Sequence, residues 1–279
     1  MTLHLNMPFE TYKAYDAINN SQLKVYDKSP LLYRKTYIDR SIAERPETEA
    51  LRIGSLVHGL VLEPNLVPTL YWFAPMKVDR RTKEGKALWA SWQEQCGPDR
   101  QLIAADEYAD ACALADSVRT HKAANDLLSA NGHAEATIIT ELDGVKVKGR
   151  LDRYSLAGDI IDLKTCDDLD DFPWTIEARG YYRQLAWYRS LLRADGLAYR
   201  ACYLIAVEKE EPLRCEVYRI GDAALNVGEK QNQSTLKDLV SSLHTGTWPG
   251  GRPDIIDVAP SPKLLDKVYG DDYQRLITA

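Results

Sequence analysis

The stretch Glu135–Lys164, EATIITELDG VKVKGRLDRY SLAGDIIDLK, decides the fold. It reads as a three-stranded antiparallel meander over Ala136–Glu141, Val145–Tyr154 and Ile160–Lys164. Asp143-Gly144 and Ala157-Gly158-Asp159 supply the turns. A two-residue loop at Asp143-Gly144 sets Glu135 opposite Asp152. A second turn pivoting on Ala157 sets Asp152 opposite Asp162. Three carboxylates then stand in one cross-strand row. Like charges directly opposite one another destabilise a sheet, so the row implies a cation, and a divalent metal is the usual answer. Strand side chains alternate, so Lys164 points with Asp162, while Ile161 and Leu163 take the buried face.

In the second strand, Lys146, Lys148 and Arg150 share a face with Asp152, whereas Val145, Val147 and Leu151 turn inward. A cationic stripe leading to a carboxylate suits a polyanion drawn towards a metal. The register also sets Lys146 opposite Glu141, which would satisfy part of that charge across the strands.

Upstream, Ser21 is read as the cap of a helix carrying Leu23 and Tyr26, and Ser29-Pro30 as the start of another. Lys24, Lys28, Arg34 and Lys35 decorate these turns as a solvated face or as a phosphate-binding rim. Thr48–Leu62 reads as a helix with Glu47 and Glu49 near its start and Pro64 beyond its end. It places Leu51, Ser55 and His58 three and four apart, and Gly54 permits close approach of a second backbone. His58 is either a structural histidine or the missing ligand of the carboxylate site. Arg80, Arg81, Lys83 and Lys86, near Trp72, Trp89 and Trp92, have the composition of a nucleic-acid groove, where cations attract phosphate and rings stack on bases. A surface loop leading into a helix with core tryptophans fits equally. Asp106–Leu128 reads as one Ala-rich helix with a stripe of Ala111, Leu114, Ala115, Val118 and Ala123.

Downstream, a single helix is expected from about Pro173 to Arg193, with Tyr181, Gln184 and Tyr188 on one face. Strands follow over Arg200–Val207 and Cys215–Ile220, then a helix over Asp222–Leu243 capped by its own Asp. The tail beyond Gly250 is Pro-rich and expected to be loosely held.

The 279 residues carry no dividing linker, so a single domain is expected: a mainly helical part to residue 130, an α/β core over 131–248, and a tail over 249–279. The hydrophobic fraction of 45% is ordinary, and no apolar run approaches the roughly 18 residues of a membrane span. The first residues lack a secretory pattern, which points to the cytoplasm. The five cysteines form no CxxC pair and no zinc spacing, which argues against an iron–sulfur cluster. A net charge of -6 argues against indiscriminate coating of nucleic acid and leaves local patches to bind phosphate.

Asp152 with Asp162-Leu163-Lys164 supplies the parts of a metal-dependent phosphodiesterase. Two carboxylates hold a hard cation, and the lysine orients or deprotonates water and offsets charge on phosphorus. Asp162, taken as an exposed site carboxylate, should be replaceable by Ala without loss of fold.

The series Gly54-Ser55-Leu56-Val57-His58, Gly149-Arg150-Leu151-Asp152, Asp162-Leu163-Lys164 and Gln184-Leu185-Ala186-Trp187-Tyr188 resembles the PD-(D/E)XK nuclease superfamily in its RecB-like branch. Within that branch it is most similar to RecE-type exonucleases (exodeoxyribonuclease VIII) and their phage relatives, from about Ser21 to Trp248. The resemblance implies an α/β core with a mixed central sheet flanked by helices. It places Mg2+, with Mn2+ as a substitute, on His58, Asp152, Asp162 and the carbonyl of Leu163. Lys164 takes the catalytic role together with Asp162, Asp152 and Glu135, and Gln184 and Tyr188 match a QxxxY motif that supports the site and contacts DNA. Asp162 stands where Glu is commoner. The implied activity is 5′-to-3′ digestion of one strand of linear duplex DNA to 5′-mononucleotides. A ring-shaped homo-oligomer and a single-strand annealing protein are the implied partners. A restriction-like nuclease, a non-catalytic DNA-binding module and a protein-interaction domain remain as other readings; the absence of a cysteine cluster weighs against a Cas4-like enzyme.

Overall fold

The computed structural model describes residues 3–42, 48–251, 255 and 258–270. Its strands are β1 (Leu3–His4), β2 (Tyr71–Phe73), β3 (Gln101–Ile103), β4 (Gly132–Leu142), β5 (Val145–Ser155), β6 (Asp159–Cys166), β7 (Ala201–Glu208) and β8 (Cys215–Ile220). Six of them form a mixed sheet in the order β1-β4-β5-β6-β7-β8, in which only β6 and β7 run parallel; β2 and β3 form a separate parallel pair.

The two hairpins hold the expected register. Leu142 pairs with Val145 across Asp143 and Gly144, both at positive φ, as a two-residue primed turn requires. Glu141 pairs with Lys146. Ala134–Arg153 and Ala136–Leu151 pair on either side of Glu135, which the ladder skips and whose φ is +50°. Arg153–Ile161 and Tyr154–Ile160 keep the register of the second hairpin.

The continuous carboxylate row does not form, because β5 and β6 part company at Arg153. The backbone groups orphaned by that split find other partners, as buried amides and carbonyls must. Ile18 exchanges hydrogen bonds with Lys146 O and Lys148 N at 3.0 and 2.8 Å, and Trp187 Nε1 donates to Lys148 O at 3.0 Å. On the other side of the gap, Leu163 N donates to Asp152 Oδ2 at 2.8 Å. The split therefore turns Asp152 inward and opens the sheet where the carboxylates gather.

Two apolar layers enclose the sheet. One contains Leu185, Trp187, Leu191 and Leu192 of the helix Tyr181–Ala194, with Leu236 and Leu239 of the helix Asp222–Thr245. The other joins Leu56, Val57 and Leu60 of the helix Glu49–Leu62 to Leu114 and Val118 of the helix Ala105–Thr120, against Ile161 and Leu163. Gly149 is what lets the first layer close on β5. A Cβ there would stand 2.6 Å from Leu191 Cδ1 and 3.0 Å from Tyr188 Cδ1.

Several helix boundaries differ from the sequence reading. Asn19, not Ser21, caps the helix Asn20–Lys28 through a reciprocal pair with Gln22, because an Asn side chain two positions earlier reaches the free amide. Ser29 and Pro30 start the next helix as expected. Thr48 caps the helix Glu49–Leu62; Glu47 and the side chain of Glu49 lie outside the described residues. The Ala-rich segment breaks into Ala105–Thr120 and Lys122–Ser129, since His121 Nδ1 accepts from Ala124 N and caps the second piece. That cap rotates Ala124 rather than Ala123 into the core. The expected Pro173–Arg193 helix is likewise two, Phe172–Ala178 and Tyr181–Ala194, divided by Gly180 in the left-handed conformation. Gly221, not Asp222, is the cap of the last long helix, and Asp222 instead pairs with Arg189. The tail includes a helix at Pro262–Tyr269 among its described residues.

Candidate metal centre

The split between β5 and β6 brings His58, Glu135 and Asp152 together, with one ligand atom of each within 4.8 Å of the others. His58 Nδ1 lies 3.4 Å from Asp152 Oδ2, and its side chain is 27% exposed, so it faces the cluster and is no core histidine. Asp162 stands beside this trio on β6 and is only 1% exposed. Its Oδ1 accepts from Gln184 Nε2 at 2.9 Å, and its Oδ2 lies 2.5 Å from Lys164 Nζ. Gln184 also donates to the Tyr188 hydroxyl at 2.9 Å, so the expected face of the helix Tyr181–Ala194 supports the Asp162–Lys164 pair.

The expectation of an exposed Asp162 is therefore corrected. β6 is covered on both faces, and what surrounds Asp162 is a polar network within the first apolar layer. The cationic stripe on β5 is corrected as well. Lys148 is 2% exposed and donates to the carbonyls of Tyr12 and Tyr15 at 2.6 and 2.7 Å, while Arg150 pairs with Glu135. Of the three, Lys146 alone is exposed.

Electrostatics mark the same residues. Burial, then the charge of Asp152, pushes the Glu135 carboxyl up to about 7 against the pull of Arg150. Burial raises Asp162 to about 6, with Lys164 opposing and Asp152 adding to the rise. For Lys164 burial acts downward, yet Asp162 and Asp152 outweigh it and hold the ammonium above its ordinary value. Tyr188 keeps its proton, since burial and both aspartates hold its phenol well above the usual range.

The donor set fits a divalent cation. His58, Glu135 and Asp152 each turn one ligand atom to within 4.8 Å of the others, and the carboxyls of Glu135 and Asp162 are raised by burial and by the neighbouring charge of Asp152, which a bound cation would offset. Carboxylate oxygens with one imidazole suit a hard ion such as Mg2+ or Mn2+.

A pH dependence follows. Glu135 ordinarily titrates near 4.5 and is held near 7 in the fold. Between those values the native state binds more protons than the unfolded chain, so this group's contribution to stability is complete below 4.5 and is lost as pH rises through 7. The melting temperature of metal-free protein minus that of Glu135→Gln should fall from pH 5 to pH 8. Saturating Mg2+ should abolish most of that fall. A difference that is flat with pH would show that Glu135 lies outside the cluster.

Lys24 joins the site from the helix Asn20–Lys28, a place its sequence spacing did not reveal. It donates to Arg179 O at 3.0 Å, and Lys24 and Lys164 lie over the same Tyr181 ring, 6.0 and 5.1 Å from its centroid. Burial, then the charge of Lys164, lowers its pKa to about 8.

The basic segment at Arg80–Lys86 stands apart. Arg80 stacks 4.6 Å from the Trp89 ring centroid, Arg81 binds Asp79 at 3.0 Å, and Lys83 and Lys86 are exposed on the helix Lys83–Cys96. Arg80 and Arg81 line a cavity of about 320 Å³ with Trp89, Asp106, Glu107 and Asp110, and no residue of the carboxylate cluster reaches it. Trp92 is a core residue, whereas Trp72 and Trp89 are half-buried.

A mixed sheet flanked by helices, with acidic residues gathered where its central hairpin splits and an Asp-x-Lys strand beside them, defines a PD-(D/E)XK-like fold. Residues 20–256 match the family described as a PDDEXK-like domain of unknown function (DUF3799), and the chain belongs to that family. The crystal structure of a candidate exonuclease from Eubacterium rectale shares the fold, with a TM-score of 0.65 at 14% identity over 96% of this chain and 100% of that one. A second structure, SSO0001, aligns at 12% identity over 73% of this chain and 82% of that one with a TM-score of 0.28. No curated protein matches in sequence. Among the described residues, no helix is long and apolar enough to cross a membrane.

Proposed function

We propose that this protein is a metal-dependent exodeoxyribonuclease that degrades one strand of linear duplex DNA from its 5′ end, leaving 3′ single-stranded tails for strand annealing. The observation that carries the reading is the cluster of His58, Glu135 and Asp152 beside the buried Asp162–Lys164 pair. In this reading His58, Asp152, Asp162 and the carbonyl of Leu163 hold Mg2+, with Glu135 completing the acidic set. When bound, the cation would polarise a phosphate oxygen, lower the pKa of a water, and take up the negative charge that keeps Lys164 protonated. Lys164 orients the water and balances charge on the phosphorus centre. Gln184 fixes Asp162 through one amide and ties it to Tyr188, so neither carboxylate nor lysine must reorganise during reaction. Lys24 offers a second cation beside Lys164 for the substrate backbone.

The polarity, the ring-shaped oligomer and the annealing partner rest on the resemblance to RecE-type exonucleases, while a cytoplasmic location rests on five cysteines with no CxxC pair and no zinc spacing, which suit a reducing compartment. The test of polarity is digestion of duplexes labelled at one end. A 5′ label should appear in mononucleotide at the first time point and a 3′ label only late; the reverse order would overturn the assignment.

Arg80, Arg81, Lys83 and Lys86 are proposed as part of the duplex track. Removing one cation that neutralises a phosphate should flatten the slope of log affinity against log salt by about 0.9. Arg81 should contribute least, because Asp79 already neutralises it. The quadruple alanine variant, titrated with DNA in calcium across a salt series, should show a slope shallower by about two units or more. An unchanged slope would make this segment ordinary solvated surface.

A further inference from the structure

We propose that Arg150 is a positioning residue of the metal centre, acting through Glu135 to fix the direction in which that carboxylate meets a divalent cation. The inference rests on the metal-dependent reading above. Glu135 has a left-handed φ of +50° and is skipped by the β4–β5 ladder, so the sheet does not dictate where its side chain points. Arg150 supplies the missing constraint. Its Nε donates to Glu135 Oε2, and its Nη1 donates to Met7 O at 2.6 Å and lies 3.5 Å from Thr137 Oγ1.

The guanidinium is itself held. It lies 5.9 Å from the Phe9 ring centroid, and the segment carrying Phe9 is pinned by Lys148, which donates to Tyr12 O and Tyr15 O and sits 4.7 Å from the Tyr12 ring centroid. The N-terminal segment thereby becomes the backing of the metal centre. A carboxylate has about four lone-pair sites, so pairing with Arg150 leaves Glu135 able to hold a cation as well. The planar fork is held at two points, Nε on Glu135 and Nη1 on Met7 O, so it fixes the direction of the bond to the carboxylate, which a lysine ammonium of equal charge cannot do.

The experiment is calorimetric titration of the full chain with Mn2+ or Ca2+, without DNA. Arg150→Lys keeps the charge and loses the fork, and should weaken metal binding about tenfold, as loss of a ligand's orienting partner does. Glu135→Gln should also weaken binding, and adding Arg150→Lys to it should cost nothing further, because the arginine acts through that carboxylate. Phe9→Ala, at a residue 57% exposed, loosens the same clamp without touching the core. It should weaken binding roughly two- to threefold, the scale of an exposed cation–π contact, and it decides the matter should Arg150→Lys not fold. Wild-type affinity in Arg150→Lys, or in Phe9→Ala where it decides, overturns the proposal, as does full additivity with Glu135→Gln. Unchanged affinity in Asp152→Asn would instead overturn the metal-centre reading, and this inference with it.

Discussion

Lys164→Met should lower the rate of DNA cleavage by about 10²–10⁴, the range expected when a positioned proton-transfer or charge-balancing group is lost. Its ammonium is held against Asp162, which is only 1% exposed, so losing it also leaves a buried carboxyl without its partner, and the variant should lose stability as well as turnover. Met keeps an unbranched apolar side chain and removes the charge that lies 5.1 Å from the Tyr181 ring centroid. Metal affinity should hold or rise, because a cation competing for Asp162 has gone. Single-turnover cleavage, measured beside calcium-supported DNA binding, separates these terms. Near-wild-type cleavage would remove Lys164 from the chemistry.

Asp162→Asn should be equally severe for a different reason. It keeps the shape and a carbonyl for Gln184 but takes one charged ligand from the cation, a loss of several kcal/mol that corresponds to about 10³ in rate. The fold should survive at neutral pH, because the buried carboxyl, raised to about 6, no longer has to ionise there, which offsets the lost pairing with Lys164. Asp162→Ala is the harsher change. It leaves Lys164 and Gln184 without their partner in a buried place, a cost of about 3–5 kcal/mol of stability. Melting curves and magnesium-dependent cleavage on the same preparations check both statements. Full activity in a folded Asp162→Asn protein would refute the assigned ligand.

The hairpin register was legible because two turns with glycines and one alternating pattern determine which residues face one another. The split at Arg153 was not, because it depends on Ile18 and Trp187, far away in sequence, taking over the free edge of β5. For the same reason Lys148 and Arg150 looked like a phosphate track. Their true partners are carbonyls of the N-terminal segment and, for Arg150, the Glu135 carboxylate as well, and carbonyls leave no signature in a sequence. That Gln184 and Tyr188 share a face was legible from helical spacing, and the hydrogen bond between them needs no more; that this face supports the site was implied by the family resemblance. Helix breaks at His121 and Gly180 escaped because a single cap or left-handed residue interrupts a pattern whose apolar period continues through it.

Whether the carboxylate cluster makes this fold a metal-dependent nuclease acting from DNA ends is decided by one digestion. The substrates are end-labelled linear duplex and covalently closed circular duplex, each with magnesium and with EDTA. The expected result is mononucleotides from the linear substrate in magnesium alone, an intact circle, and no release by Asp162→Asn. Linear DNA left whole in magnesium, digestion that persists in EDTA, or cutting of the closed circle would contradict it.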